Sequence, residues 1–401
     1  MIEKGEARAL IRSLWHKKDE PVPMGCQGCP DRPHCGGIQV AASVFNCMDH
    51  CTCADPAACT KVCPNSPHFV ARVHEVRGFG HEDVERRRPV PLVQLPTYAH
   101  LLFTYPKVRE AIRLPVAAVP LSAVFNKSGH GGIALTRAQL EQRFRLAPQT
   151  PLILSGVELD HKIEKFWGVK RGRAELIAGI KALDPLIVTT PNYSVVLDAP
   201  RHDAMHSLKR ILLAWSELHD AGIRTALHLN AVTDKDYERM AEFLHAHPEV
   251  RAVSLEFETG AANEEQGLYH AGQLDRVVQR LGRAPHLVFR GDARWLPVLR
   301  RSFPTATILN GAASVRTRKR RRALVKEERL IWESSPTERG APLDELLQHN
   351  FAQVGAWLET KVVAAGVGIG GVLASNRNRR KSNDSEVGSE GHDQTRQLSF
   401  L

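Results

Sequence analysis

Beyond residue 63 the chain contains no cysteine. Residues 64 to 401 therefore offer no thiol nucleophile, disulfide or thiolate ligand. Long hydrophobic runs are missing too, since a bilayer span needs roughly 18–20 consecutive apolar residues. The longest candidate, Val362 to Ala374, is too short and carries four glycines. The opening residues Met1 to Glu6 do not make a secretory signal of the usual kind, so a soluble, cytoplasmic protein with no membrane partner is expected. GxSxG, HExxH and a Walker A lysine loop are all absent, which removes the sharpest signatures of ester, zinc-peptide and nucleotide hydrolysis. Gly366 to Gly371 formally spells GxGxxG, but it follows a helical pattern rather than a strand and carries no nucleotide-binding expectation.

What is present is concentrated. Cys26, Cys29, Cys35, Cys47, Cys51, Cys53, Cys59 and Cys63 share one short window. Scattered core cysteines would not cluster this way, and disulfides would need an oxidising compartment. Metal ligation is the remaining expectation. Only one true CxxC occurs, Cys26 with Cys29, whereas zinc ribbons show two such knuckles. The closing run Cys59-Thr60-Lys61-Val62-Cys63-Pro64 ends as bacterial ferredoxin motifs do. An iron–sulfur cluster (4Fe-4S) is therefore expected, with zinc as the alternative. His34 and His50 are left off the ligand set. Residues 20 to 70 hold few large aliphatics, so the metal's role there is expected to be a structural staple as much as a redox centre.

A 43% hydrophobic content supports a globular core, and the formal net charge of +10 favours an anionic partner. A short amphipathic helix is expected over residues 1–20, with Ile2, Leu10, Ile11, Leu14 and Trp15 toward one side. The Cys-rich module follows over residues 21–70, and Arg86 to Pro89 marks a boundary. From 90 to 325, short apolar β-branched runs alternate with amphipathic helical stretches. The expected strands are Val116–Phe125, Leu152–Ser155, Leu186–Thr189, Thr225–Leu229, Ala252–Phe257, His286–Phe289 and Ala306–Leu309, with Leu92–Leu95 or Leu101–Phe103 as an eighth. Arg201–Ala221 and Asp234–His247 read as helices. Apolar strands linked by helices specify a parallel sheet covered on both faces. The expected class is α/β, a parallel (β/α) barrel-like domain, with an open doubly wound sheet as the alternative. A C-terminal helical segment is expected within 340–374, and a polar, disordered tail over 375–401.

In a parallel barrel the residues just past the strand ends converge on the ligand. Asp198, Arg201, His228 and Glu256 are the candidate catalytic groups, able to supply acid–base and anion-binding chemistry. Asn192, Ser194, Asn230, Glu258, Arg290, Asp292 and Asn310 are the candidate substrate-binding groups, and Glu158 and Asp160 lie beyond the strand that ends at Ser155. Thr190-Pro191-Asn192-Tyr193-Ser194, continuing through Asp198-Ala199-Pro200-Arg201 to Gly222-Ile223, resembles a family of uncharacterised bacterial, phage and plasmid proteins. Members of that family share a Thr-Pro-Asp/Asn-aromatic-Ser…Asp-x-Pro-Arg core. The likeness covers about residues 150–315 and implies a mobile-element setting, with no activity to carry over.

Six of the seven residues from Arg316 to Arg322 are basic: Arg316, Arg318, Lys319, Arg320, Arg321 and Arg322. Such a run can neutralise phosphates, so DNA or RNA is the expected partner, and the run is expected on an exposed loop or first helical turn. Gln397-Leu398-Ser399-Phe400-Leu401 resembles the short peptide by which bacterial replication proteins dock on the sliding clamp, with its last two residues transposed. Three functions stay open: a nucleic-acid-associated metal protein of a mobile element or DNA-modification pathway, an iron–sulfur barrel enzyme acting on a small anionic substrate, and a plasmid or phage accessory protein acting by protein contacts.

Overall fold

The structure, a computed structural model, describes residues 75–105, 107–125, 135–169, 172–195, 201–231, 233–257, 264–335 and 337–366. The eight cysteines, the expected N-terminal helix, Asp198, Glu258 and the tail with Gln397 to Leu401 lie outside the described residues.

Eight parallel strands close into a barrel: β1 (Tyr98–Leu101), β2 (Ala117–Pro120), β3 (Leu152–Ser155), β4 (Ile187–Thr189), β5 (Thr225–His228), β6 (Ala252–Phe257), β7 (His286–Gly291) and β8 (Ala306–Asn310). β1 pairs with β8, as Tyr98↔Ile308 through His100↔Asn310, and this pairing closes the ring. The doubly wound alternative is thereby excluded. Strands such as Leu-Ile-Leu-Ser of β3 are buried along their whole length, as sequences covered on both faces must be. Alternate residues fill the interior, where Ala99, Leu101, Ala118, Ile153, Ile187, Ala226, Ala252, Val288 and Leu309 form one cluster. The segment before β1 seals the amino-terminal end of the barrel, with Leu92, Val93 and Leu95 packed against that cluster.

Helices α1 (Arg137–Phe144), α2 (Asp160–Gly168), α3 (Arg173–Ala182), α4 (Arg201–Asp220), α5 (Asp234–Ala246), α6 (Glu264–Leu281) and the single turn α7 (Leu296–Leu299) lie outside. Two of them start with reciprocal capping boxes, Thr136 with Gln139 and Thr233 with Asp236, which satisfy amide groups that helix starts otherwise leave bare. After β8 come α8 (Ala312–Arg318), an antiparallel hairpin of β9 (Arg321–Lys326) and β10 (Arg329–Ser334), and α9 (Asp344–Ala365), which stops at Gly366 in the left-handed region (φ 64°). The expected long strand Val116–Phe125 is shorter than its apolar run, because Leu121–Val124 winds into a 3-10 turn after Pro120. The hairpin was not expected.

Residues 75–89 form a strap over α4 and α5. Val76, Phe79 and Val84 are buried there, Lys209 of α4 reaches Asp83 and the Gly80 carbonyl, and the Arg87 amide donates to Glu249 Oε1 at 2.9 Å.

Candidate functional site at the barrel mouth

Interior parity decides which rim side chains face the axis. Ile153, Ile187, Ala226, Ala252 and Val288 are interior, so Ser155, Thr189, His228, Ser254, Glu256 and Arg290, two or four residues further on, share that face. β3 and β7 stand on opposite sides of an eight-strand ring, and Arg290 bridges them: its Nη1 donates to the Val157 carbonyl at 2.5 Å. Glu256 is Arg290's register neighbour on β6.

Glu158 sits in the loop that Arg290 reaches. Its carboxylate accepts from the Ser122 amide at 2.6 Å and from the Ser122 hydroxyl. Burial pushes the Glu158 carboxyl above its ordinary value, outweighing the downward pull of the Ser122 hydrogen bonds, Lys162 and Arg290. A buried carboxyl with a raised pKa beside a guanidinium can hold a proton near neutral pH and give it to a bound group.

The ends of β3, β4 and β5 are knitted together. The Gly156 amide donates to Thr189 Oγ1 at 2.7 Å, the His228 amide to Thr190 Oγ1 at 2.8 Å, and the Asn192 amide to the Gly156 carbonyl at 3.1 Å. Only glycine fits at 156, where a Cβ would overlap the carbonyl oxygens of Thr189 and Thr190. Asn192 Oδ1 in turn accepts the Glu158 amide at 2.9 Å, so the Thr-Pro-Asn-Tyr-Ser loop positions Glu158. Tyr193 is fully buried beneath the Arg210 guanidinium, 4.0 Å from its ring centroid, and anchors that loop.

Among the expected catalytic residues, His228 and Glu256 line the inner wall on neighbouring strands. Burial holds the His228 imidazole neutral, with its pKa pushed down to about 3, and its Nδ1 lies 3.2 Å from Ser254 Oγ. A proton acceptor at neutral pH is a poor description of such a group. Arg201 opens α4, and Asp198 lies outside the described residues. Several expected substrate ligands have local partners. Ser194 donates to Asp160 Oδ1 at 2.7 Å and Asn230 Nδ2 to the Tyr193 carbonyl at 2.8 Å. Asp292 accepts the Arg294 amide and Asn310 the Ala312 amide, each at 2.9 Å, as turn and helix caps. Ser122 was missed because its segment reads as strand. Glu158 was visible beyond β3, but nothing in the sequence shows its burial.

The basic run occupies the last turn of α8 and the start of β9, rather than a loop or first helical turn. Arg316, Arg318, Lys319, Arg321 and Arg322 are exposed and Arg320 half-buried. Their contacts are with neutral groups: Arg316 lies 5.7 Å from the Trp332 ring centroid, Arg320 donates to the Thr337 carbonyl, Arg321 to Ser334 Oγ, and Arg322 approaches His349 Nδ1 at 3.3 Å. No acid among the described residues pairs with any of the six, while Lys326 and Lys361 nearby do take Glu333 and Glu328. Among the described residues, no group of three or more His, Cys, Asp or Glu side chains is arranged to hold a metal ion. No protein-family model matches this chain, and no curated protein matches it.

Proposed function

We propose that this chain is a nucleic-acid-associated iron–sulfur protein of a mobile element or DNA-modification pathway, gripping phosphate backbone with the edge formed by α8 and β9. The observation that carries this reading is the set of six cations without an acid partner among the described residues. Unneutralised cations on a rigid helix–strand edge bind a polyanion by releasing its counterions, at about 0.9 units of salt slope per phosphate on duplex DNA. The cluster assignment rests on the spacing of Cys26 to Cys63, with zinc as the alternative ligand of the same thiolates. Cys63 precedes Glu75 by twelve residues, a reach of at most about 40 Å. Glu75 accepts from Trp167 Nε1 and pairs with His206 Nε2, each at 2.9 Å, beside the mouth, so the metal module is tethered on that side. The Gln397–Leu401 peptide would add a contact to the sliding clamp.

Duplex binding measured against salt tests the reading. Replacing Arg318, Lys319, Arg320 and Arg321 by alanine should flatten the slope by about 3 units. Absence of wild-type binding at about 50 mM salt overturns it. Anaerobically purified protein should contain iron and sulfide, and stoichiometric zinc without iron would reverse the metal assignment.

A second reading, an enzyme acting on a small anionic substrate, draws on the pairing of Arg290 with the buried Glu158 at the mouth. Stabilisation of the protein by small phosphates or carboxylates, lost in Arg290→Met, would favour it.

A further inference from the structure

The barrel lacks one of its helices. Parallel strands need a crossover, and in a (β/α) barrel each crossover normally lays a helix on the outside. Between β1 and β2 no helix is found among the described residues of 102–116. The chain returns there in extended form, and Ile112 bridges to Leu146. Where the helix would sit there is instead a cavity of about 840 Å³. Tyr98 and His100 of β1 form its floor, Ile112, Leu114 and Val116 one wall, and α9 the other.

The α9 wall is a single stripe. Gln348, Ala352, Gly355, Ala356 and Glu359 follow one another at three- or four-residue spacing, and Ala352 and Ala356 are exposed. Small side chains along a stripe let a second helix approach closely. His100 provides an independent indication of an occupant. It is 4% exposed and stacks on Phe351 at 4.7 Å between centroids, yet its Nδ1 has no hydrogen-bond partner. Burial keeps the ring neutral, with its pKa pushed down to about 4, so Nδ1 costs stability until a donor reaches it. Glu110 stands toward one end of the cavity, beside Gln348, and Glu359 toward the other, beside Tyr98.

We propose that residues 1–18 of this chain occupy the vacant seat as a helix, completing the barrel's outer layer in cis. As a helix these 18 residues would be about 27 Å long, comparable to α9. Leu10, Ile11 and Leu14 fall on one helical face, suited to the apolar walls. Lys4, Arg8 and Arg12 repeat at intervals of four along one edge, a cationic row complementary to Glu110 and Glu359. Ser13 and Trp15 each bring a side-chain donor that could satisfy His100 Nδ1. The linker from 19 to 74 is long enough to reach any face of the barrel. Tethering supplies an effective concentration in the millimolar range, so even a modest contact is populated. This inference stands apart from the nucleic-acid reading.

The test uses the full chain with a photoreactive benzoylphenylalanine at Ala352 or, separately, at Ala356, and a control at Lys326 on the exposed hairpin. Irradiation should give intramolecular adducts mapping to residues 1–18 from both groove positions and none from the control. A parallel variant, Ala356→Trp, fills the groove and should speed tryptic cleavage after Arg8 and Arg12 about tenfold. Adducts joining two chains would overturn the proposal in favour of a second copy. Groove adducts elsewhere in the chain, or none, with cleavage unchanged in Ala356→Trp, would overturn it in favour of an occupant from outside.

Discussion

Asn350 fixes the basic edge to the barrel, and its replacement by leucine should release that edge. The β9–β10 ribbon has a free side on which alternate backbone groups of β9 have no strand partner. Asn350, fully buried on α9, supplies the missing peptide: its Oδ1 accepts the Ala323 amide at 2.7 Å and its Nδ2 donates to the Arg321 carbonyl at 2.8 Å. A further bond runs to Thr317 Oγ1 at 2.8 Å, so one side chain joins α8, β9 and α9. Asn350→Leu keeps the volume but strands two buried backbone groups. Three lost bonds at about 1 kcal/mol each, with an added penalty for the buried orphans, come to about 4 kcal/mol. Burial of the leucine returns about 1–2, leaving a net loss of about 2–3 kcal/mol. In urea this is a midpoint drop of about 1 M, and the Ala323 amide should exchange much faster. Asn350→Asp separates the parts: it retains the acceptor for Ala323 but faces the Arg321 carbonyl with a carboxylate, so Ala323 protection should survive while stability falls. A loss below about 1 kcal/mol in Asn350→Leu, with Ala323 protection intact, would refute the reasoning.

Stability should fall on acidification between neutrality and about pH 4. His100 and His286 are pushed down by burial to about 4, and His228 to about 3. Their unfolded forms take up protons from about pH 6.5 downward while the folded forms do not, so unfolding is favoured as pH drops. Each contributes about 2 kcal/mol of loss by pH 5, and equal urea midpoints at pH 7 and pH 5 would contradict it. Gly156→Ala should destabilise by about 3 kcal/mol and disturb the Asn192 loop, since the new methyl meets two backbone carbonyls that cannot yield cheaply. Arg290→Met should raise the Glu158 carboxyl pKa further, because the guanidinium's downward pull disappears. Carboxyl carbon NMR titration measures that change, and an unmoved or lowered value would dissociate the two residues.

The barrel was legible because interior strands announce themselves. Leu152–Ser155 and Ala252–Phe257 match their apolar runs residue for residue. β1 was less visible because it is not an apolar run: Tyr98 and His100 point outward to α9 while only Ala99 and Leu101 face the interior. The more obvious run, Leu92–Leu95, became the plug. The hairpin escaped for a related reason. Arg321, Arg322, Lys326 and Arg329 give no hydrophobic alternation, and the turn uses Glu327 and Glu328 at positive φ (48° and 61°), without the Asn or Gly that normally signals such a turn.

At the mouth, the polar rim could be read from the sequence but its division of labour could not. A strand repeats every two residues, so one position decides whether a rim side chain meets a ligand or the outer layer. Asn310 follows the interior residue Leu309, faces away and caps α8; Arg290 is two past Val288 and faces in. The groups that set the chemistry are brought together over long separations that local patterns do not encode. Ser122 and Glu158 lie 36 residues apart, Arg290 and Val157 133. A rim residue held in a local cap has its polar atoms committed to the loop. A side chain that faces the axis and is shared across the mouth can exchange a protein partner for a substrate oxygen at little cost. On that criterion Arg290, Glu158 and Glu256 outrank His228, whose buried neutral ring stays a hydrogen-bonding element of the wall.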